Sequence, residues 1–107
     1  MRLEILTTAA QAIVEQADYY ELKSGHVLAA RWEAAVDEAV DRLLRWPETG
    51  APVRFRSPQL AGLRWVAVPG FPKHLIFYRY LPDVDLLRVI HVLHGARDLE
   101  ALLDPSG

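Results

Sequence analysis

Residues 2–6 read as a short strand, in which Leu3 and Ile5 alternate with Arg2 and Glu4, the period of a half-buried strand. Thr8-Ala9-Ala10-Gln11 then has the form of a capping box, a hydroxyl with a glutamine three residues on, and predicts the start of a helix. Ala10, Ile13, Val14, Ala17 and Tyr20 recur at helical spacing as one apolar stripe, with Glu15, Asp18 and Glu21 mostly on other faces. Lys23-Ser24-Gly25 interrupts that pattern, and Gly25 suits a C-cap or turn. A second helix is predicted over residues 26–45, with Trp32, Ala35, Val36, Ala39, Leu43 and Trp46 as its stripe. Pro47 disfavours helical geometry at Trp46 and ends it. The short link predicts that the two helices pack as an antiparallel hairpin.

Residues 49–62 contain Gly50, Pro52, Ser57, Pro58 and Gly62 and are expected to form a loop. Three strand-like runs follow, at residues 63–68, 73–80 and 86–94, the last two joined through Leu81-Pro82-Asp83-Val84-Asp85. They are apolar on both faces in places, which suits a helix layer on one side and a partner or tail on the other. Residues 98–103 read as one or two helical turns, stopped by Pro105. The leading strand cannot be stable alone and must join the later ones. The expected fold is α+β: an antiparallel four-stranded sheet packed against an N-terminal helical hairpin, in the order β-α-α-β-β-β with a short C-terminal helix.

The length of 107 residues, half of them hydrophobic, suits one domain over 1–107 with a core of its own. The absence of cysteine excludes disulfides, thiolate catalysis and Cys-based zinc sites, and fits a reducing cytoplasm. No apolar run is long enough to cross a bilayer, and Glu4 interrupts the apolar N-terminus, so no signal peptide is expected. The net charge of −2 conceals segregation. Residues 1–50 hold nine acids against five bases, whereas residues 49–82 hold Arg54, Arg56, Arg64, Lys73 and Arg79 and no acid. A basic middle of this kind attracts phosphate or an acidic protein surface, unless its arginines are merely solvated.

The chemistry the residues allow is sparse. His91 and His94 lie three apart in a predicted strand, so they are expected on opposite faces, and no third ligand accompanies His74. No metal site or cofactor is therefore expected. Neither paired carboxylates, nor a glycine-rich phosphate loop, nor a nucleophile elbow is present. What remains is a cationic set, Arg64, Lys73, Arg79, Arg88 and Arg97. With Tyr78, Tyr80, His74 or His94 as proton carriers it has the residue types for metal-free cleavage of a phosphodiester. Strand parity argues against it: His74, Tyr78 and Tyr80 share one face, Lys73 and Arg79 the other. Trp65, beside Arg64, is either core or an exposed protein-binding anchor.

Several pieces in order resemble the ParE branch of the RelE/ParE superfamily of bacterial toxins. They are Ala30-Arg31-Trp32 opening the second helix, Leu43-Leu44-Arg45-Trp46-Pro47-Glu48-Thr49-Gly50 closing it, and Arg64 beginning a strand. Ile76-Phe77-Tyr78-Arg79 and Val89-Ile90-His91-Val92-Leu93-His94-Gly95-Ala96-Arg97-Asp98 complete the set. The resemblance implies a toxin held by a cognate ParD-like antitoxin in a hetero-oligomer, with DNA gyrase as target and no catalysis of its own. Its target-binding residues are then Arg64, Lys73, Arg79, His94 and Arg97. Neither a membrane partner nor specific DNA binding by the chain itself is expected, and the expected location is cytoplasmic. The alternative within the superfamily is a RelE-like ribosome-dependent mRNA endonuclease, with His94, Arg64, Arg79 and Tyr78 as its catalytic candidates. A third possibility is a relative that only binds antitoxin. The chain departs from the RelE pattern in having no lysine cluster and no tyrosine after Tyr80. It departs from the commoner ParE form at Ala96, where an arginine is usual, and at His74, where a tyrosine is usual.

Overall fold

A computed structural model describes residues 1–104. Strand β1 (Arg2–Ile5) leads into helices α1 (Thr7–Ser24) and α2 (His26–Arg45). Strands β2 (Ala51–Pro52), β3 (Arg64–Val68), β4 (Phe71–Leu81) and β5 (Leu86–His94) follow, and then helix α3 (Leu99–Leu103). The expected stop of α3 at Pro105 lies outside the described residues.

The α+β class, the hairpin and the three late strands are as the sequence predicts, but the sheet is five-stranded and mixed, in the order β1-β5-β4-β3-β2. β1 runs parallel to β5, with Leu3 beside Leu87 and Ile5 beside Val89. The fifth strand is the two-residue β2, paired with β3 inside the segment read as a loop. Two residues show no period, and Pro52 is tolerated there because β2 is an edge.

Gly25 joins the helices at φ +90°, a conformation that suits glycine. The α1 stripe is offset from the expected one. Ala9 and Ala17 are buried with Ile13 and Tyr20 packed beside them, while Ala10 and Val14 face out. Leu6, not a hydroxyl, occupies the N-cap of α1. Thr8 instead donates its Oγ1 hydrogen to the Ile90 carbonyl at 2.8 Å, which ties the start of α1 to β5. In α2, Trp32, Ala35, Val36, Ala39, Val40 and Leu43 are buried, whereas Trp46, past the helix end, is 60% exposed.

The helices cover one face of the sheet, over Val68, Ile76, Tyr78, Leu87, Val89 and Val92. The opposite face carries a second cluster of Leu60, Leu63, Phe77 and Leu93, closed by Phe55, Trp65, Leu99 and Leu103. The tail anticipated for this face is thus α3. It starts at Asp98, whose side chain accepts from the Ala101 amide, and its Glu100 carboxylate accepts from the Arg56 and Ser57 amides.

Candidate target-binding site

The chain after α2 is fixed by two side chains from the sheet. Tyr78 is fully buried, and its hydroxyl donates to the Pro47 carbonyl and accepts from the Gly50 amide, both at 2.8 Å. Burial raises its pKa above the usual 10.0, against the opposing pull of the Gly50 amide and Arg64. From β3, Arg64 donates through Nη1 to the carbonyls of Glu48 (3.2 Å) and Gly50 (2.8 Å). The Trp-Pro-Glu-Thr-Gly stretch is therefore docked onto the sheet by Tyr78 and Arg64. This arrangement holds the outgoing carbonyls of the turn beyond α2, which the helix itself cannot satisfy.

Arg79 lies on the other face of β4, as parity predicts. Its guanidinium donates to the carbonyls of Ala61 (2.7 Å) and Gln59 (2.6 Å) and so pins the 59–61 turn. Directly opposite it on β5 stands Arg88, an unfavourable like-charged pair. Arg88 is compensated by an ion pair with Glu4 of β1. Among the described residues Arg79 has carbonyl partners and no carboxylate. Lys73 and Arg97 are exposed. Among the described residues none of Arg64, Lys73, Arg79 and Arg97 forms an ion pair.

His74 and His94 face each other across β4 and β5, with ring centroids 5.2 Å apart and planes nearly perpendicular. His74 also meets Trp32 edgewise at 4.9 Å and Tyr20 at 6.4 Å. The pair borders a cleft of about 450 Å³ between α1 and the end of the sheet, lined also by Glu15, Tyr19, His91 and Arg97. His91 and His94 were expected on opposite faces. Their register is regular, from His91 opposite Phe77 to His94 opposite His74, so the two keep opposite parity as expected; the extra residue of a bulge, Ile90, precedes both. Among the described residues no group of three or more histidines, cysteines or acids is placed to hold a metal ion.

Burial pushes the His74 imidazole below the ordinary 6.5, and His94 pushes it the same way. Burial lowers His91 as well. Both groups bind protons less readily folded than unfolded, so their contribution to stability is fully present above pH 6.5 and is lost as the pH falls below it. The urea midpoint is expected to fall on acidification from about pH 7 to about pH 5, with a smaller slope in His74→Phe. An unchanged slope would place the acid sensitivity elsewhere.

Of the predicted site residues, the fold brings His94 and Arg97 to one cleft and sets Arg64 and Tyr78 beneath the α2 turn. It places Arg79 on the far face and leaves Lys73 exposed near the start of β4. Glu48 and Gly50 contribute backbone groups that no reading of side-chain chemistry would select.

This architecture has relatives. A family profile described as the ParE toxin of the type II toxin–antitoxin system parDE matches residues 3–99. The chain belongs to the ParE toxin family. Its fold is similar to that of the chromosomal ParDE system from P. aeruginosa, with a TM-score of 0.70 at 18% identity over 88% of this chain and 95% of that one. The toxin–antitoxin complex RelBE2 from Mycobacterium tuberculosis gives 0.57 at 22% identity, over 87% and 95% of the two chains. The isolated RelE toxin of E. coli gives 0.56 at 12%, over 98% and 96%. At these identities the likeness is one of fold. No curated protein matches by sequence. The ParE match stops at residue 99, so most of α3 lies beyond it. Among the described residues no helix is long and apolar enough to cross a membrane.

Proposed function

We propose that this ParE-family chain is a toxin that inhibits DNA gyrase by binding it, without chemistry of its own. A cognate ParD-like antitoxin holds it inactive in the cytoplasm as a hetero-oligomer. The observation that carries this reading is the separation of the groups a ribonuclease would need together. Metal-free cleavage requires a cation, a base and an acid within hydrogen-bond reach of one phosphodiester. Here the Tyr78 hydroxyl is buried and engaged twice, while Arg64 is spent on carbonyls on the helix side. Arg79 is on the other face, and His94 stands edge-on to His74. A binding rim needs only accessible charge, and among the described residues Lys73, Arg79 and Arg97 pair with no carboxylate. Family membership favours gyrase over the ribosome.

Induced expression without antitoxin is expected to raise DNA-damage signalling before protein synthesis slows. Arg97→Ala, or truncation after Gly95, should weaken growth inhibition. Cut transcripts and an early translation block, both abolished by His94→Ala, would replace this reading with the ribosome-dependent mRNA endonuclease. Harmless expression of the folded chain would leave antitoxin binding alone.

A further inference from the structure

The two edges of the sheet are unequal. β2 is two residues long and contains Pro52, so it offers little to another strand. β1 has no proline, lysine or bulge, and all four of its residues are exposed. The Arg2 amide bonds the Asp85 carbonyl and the Leu6 amide the Val89 carbonyl, so the even-numbered residues of β1 point toward β5. By alternation, the N–H and C=O groups of Leu3 and Ile5 point away from the sheet, and among the described residues no strand pairs with them. Their side chains, 42% and 41% exposed, continue the apolar face that Leu87 and Val89 begin.

We propose that β1 pairs with β1 of a second copy of this chain, antiparallel and centred on Leu3, to join two five-stranded sheets into one of ten strands. Neither the target nor the antitoxin enters the argument. Two-fold registers centred on any residue of β1 keep like faces together, and chemistry chooses among them: centring on Arg2 sets two guanidiniums directly opposite each other, which is repulsive. Centring on Ile5 sets Leu3 against Thr7, where α1 has already begun. Centring on Glu4 sets two carboxylates directly opposite each other, which is repulsive. Centring on Leu3 sets Arg2 against Glu4 twice on one face and Met1 against Ile5 twice on the other. It also makes the outward groups of Leu3 a hydrogen-bonded pair, the arrangement their direction requires. The charge pattern Arg-Leu-Glu is thus self-complementary about its centre. A strand this short buries less than the roughly 1,000 Å² of a stable interface, so the association depends on concentration.

Sedimentation equilibrium of the full chain, made by cell-free synthesis, tests this between about 10 μM and about 1 mM, the range of weak contacts. The weight-average mass is expected to rise toward twice the monomer. Leu3→Pro removes an N–H that the fold itself does not use, and Arg2→Glu sets acid against Glu4. Each is expected to weaken the dimer by about tenfold or more while the circular dichroism spectrum is kept. If Leu3→Pro disturbs the fold, Arg2→Glu carries the test alone. A chain that stays monomeric throughout, as it would if this edge served only a strand from a different protein, overturns the proposal. So does a dimer that Arg2→Glu leaves unchanged.

Discussion

Trp32→Ala is expected to cost about 3–5 kcal/mol of folding stability, the range for removing a large aromatic side chain from a core. Trp32 has no accessible surface, and its indole N–H donates to the Ile13 carbonyl of α1 at 3.0 Å. Its ring stands edgewise to Tyr20, Phe71 and His74, so the one side chain joins both helices to β4. A domain of this size has only about 5–15 kcal/mol in total, so the variant should sit near the limit of folding. Trp46→Ala is the control. Trp46 belongs to the same predicted stripe but is exposed, and its loss should change stability by no more than about 0.5 kcal/mol. Urea unfolding of both variants checks the pair, and equal costs would mean that α2 presents a different face.

Gly50→Ala is the second large effect, expected at about 2–4 kcal/mol from overpacking plus lost hydrogen bonds. A Cβ at position 50 would sit 2.4 Å from the Tyr78 hydroxyl and 2.6 Å from its ring. Tyr78 has no room to withdraw, being fully buried and bonded to both Pro47 and Gly50. Tyr78→Phe removes the hydroxyl and leaves the half-buried Pro47 carbonyl and the buried Gly50 amide without it, at about 1–3 kcal/mol. Both substitutions break the same contact, so the double variant should cost less than the sum of the singles. Strict additivity in a double-mutant cycle would show that the Tyr78–Gly50 contact does not hold the turn.

The parts of this fold that were legible in the sequence are those with a long period. α2 buries its stripe, and β4 divides Tyr78 from Arg79 as alternation requires. The misses have local causes. α1 is rich in small residues, so Ala9 and Ala10 are equally apolar and pattern alone could not choose the buried one. The bulge at Ile90, between Val89 and His91, left no composition signal. β2 was hidden by its proline and its two-residue length. The candidate site was read less well than the fold. Arg64 and Arg79 are legible as cations, but a spacing argument cannot tell that both donate to backbone carbonyls. Nor could it show that the motif Trp-Pro-Glu-Thr-Gly is held by a tyrosine 28 residues beyond its glycine.

With Tyr78 and Arg64 holding the turn beyond α2, we propose Lys73, Arg79, His94 and Arg97 as the groups that engage the target. The measurement that bears most directly on the whole account is a supercoiling and cleavage assay with purified gyrase, relaxed plasmid and the purified chain. Lost supercoiling together with accumulated gyrase–DNA cleavage complexes is the predicted result, relieved by Arg97→Ala. Full supercoiling at a large molar excess of folded toxin, with ribosome-bound mRNA cut in a parallel reaction, would contradict it.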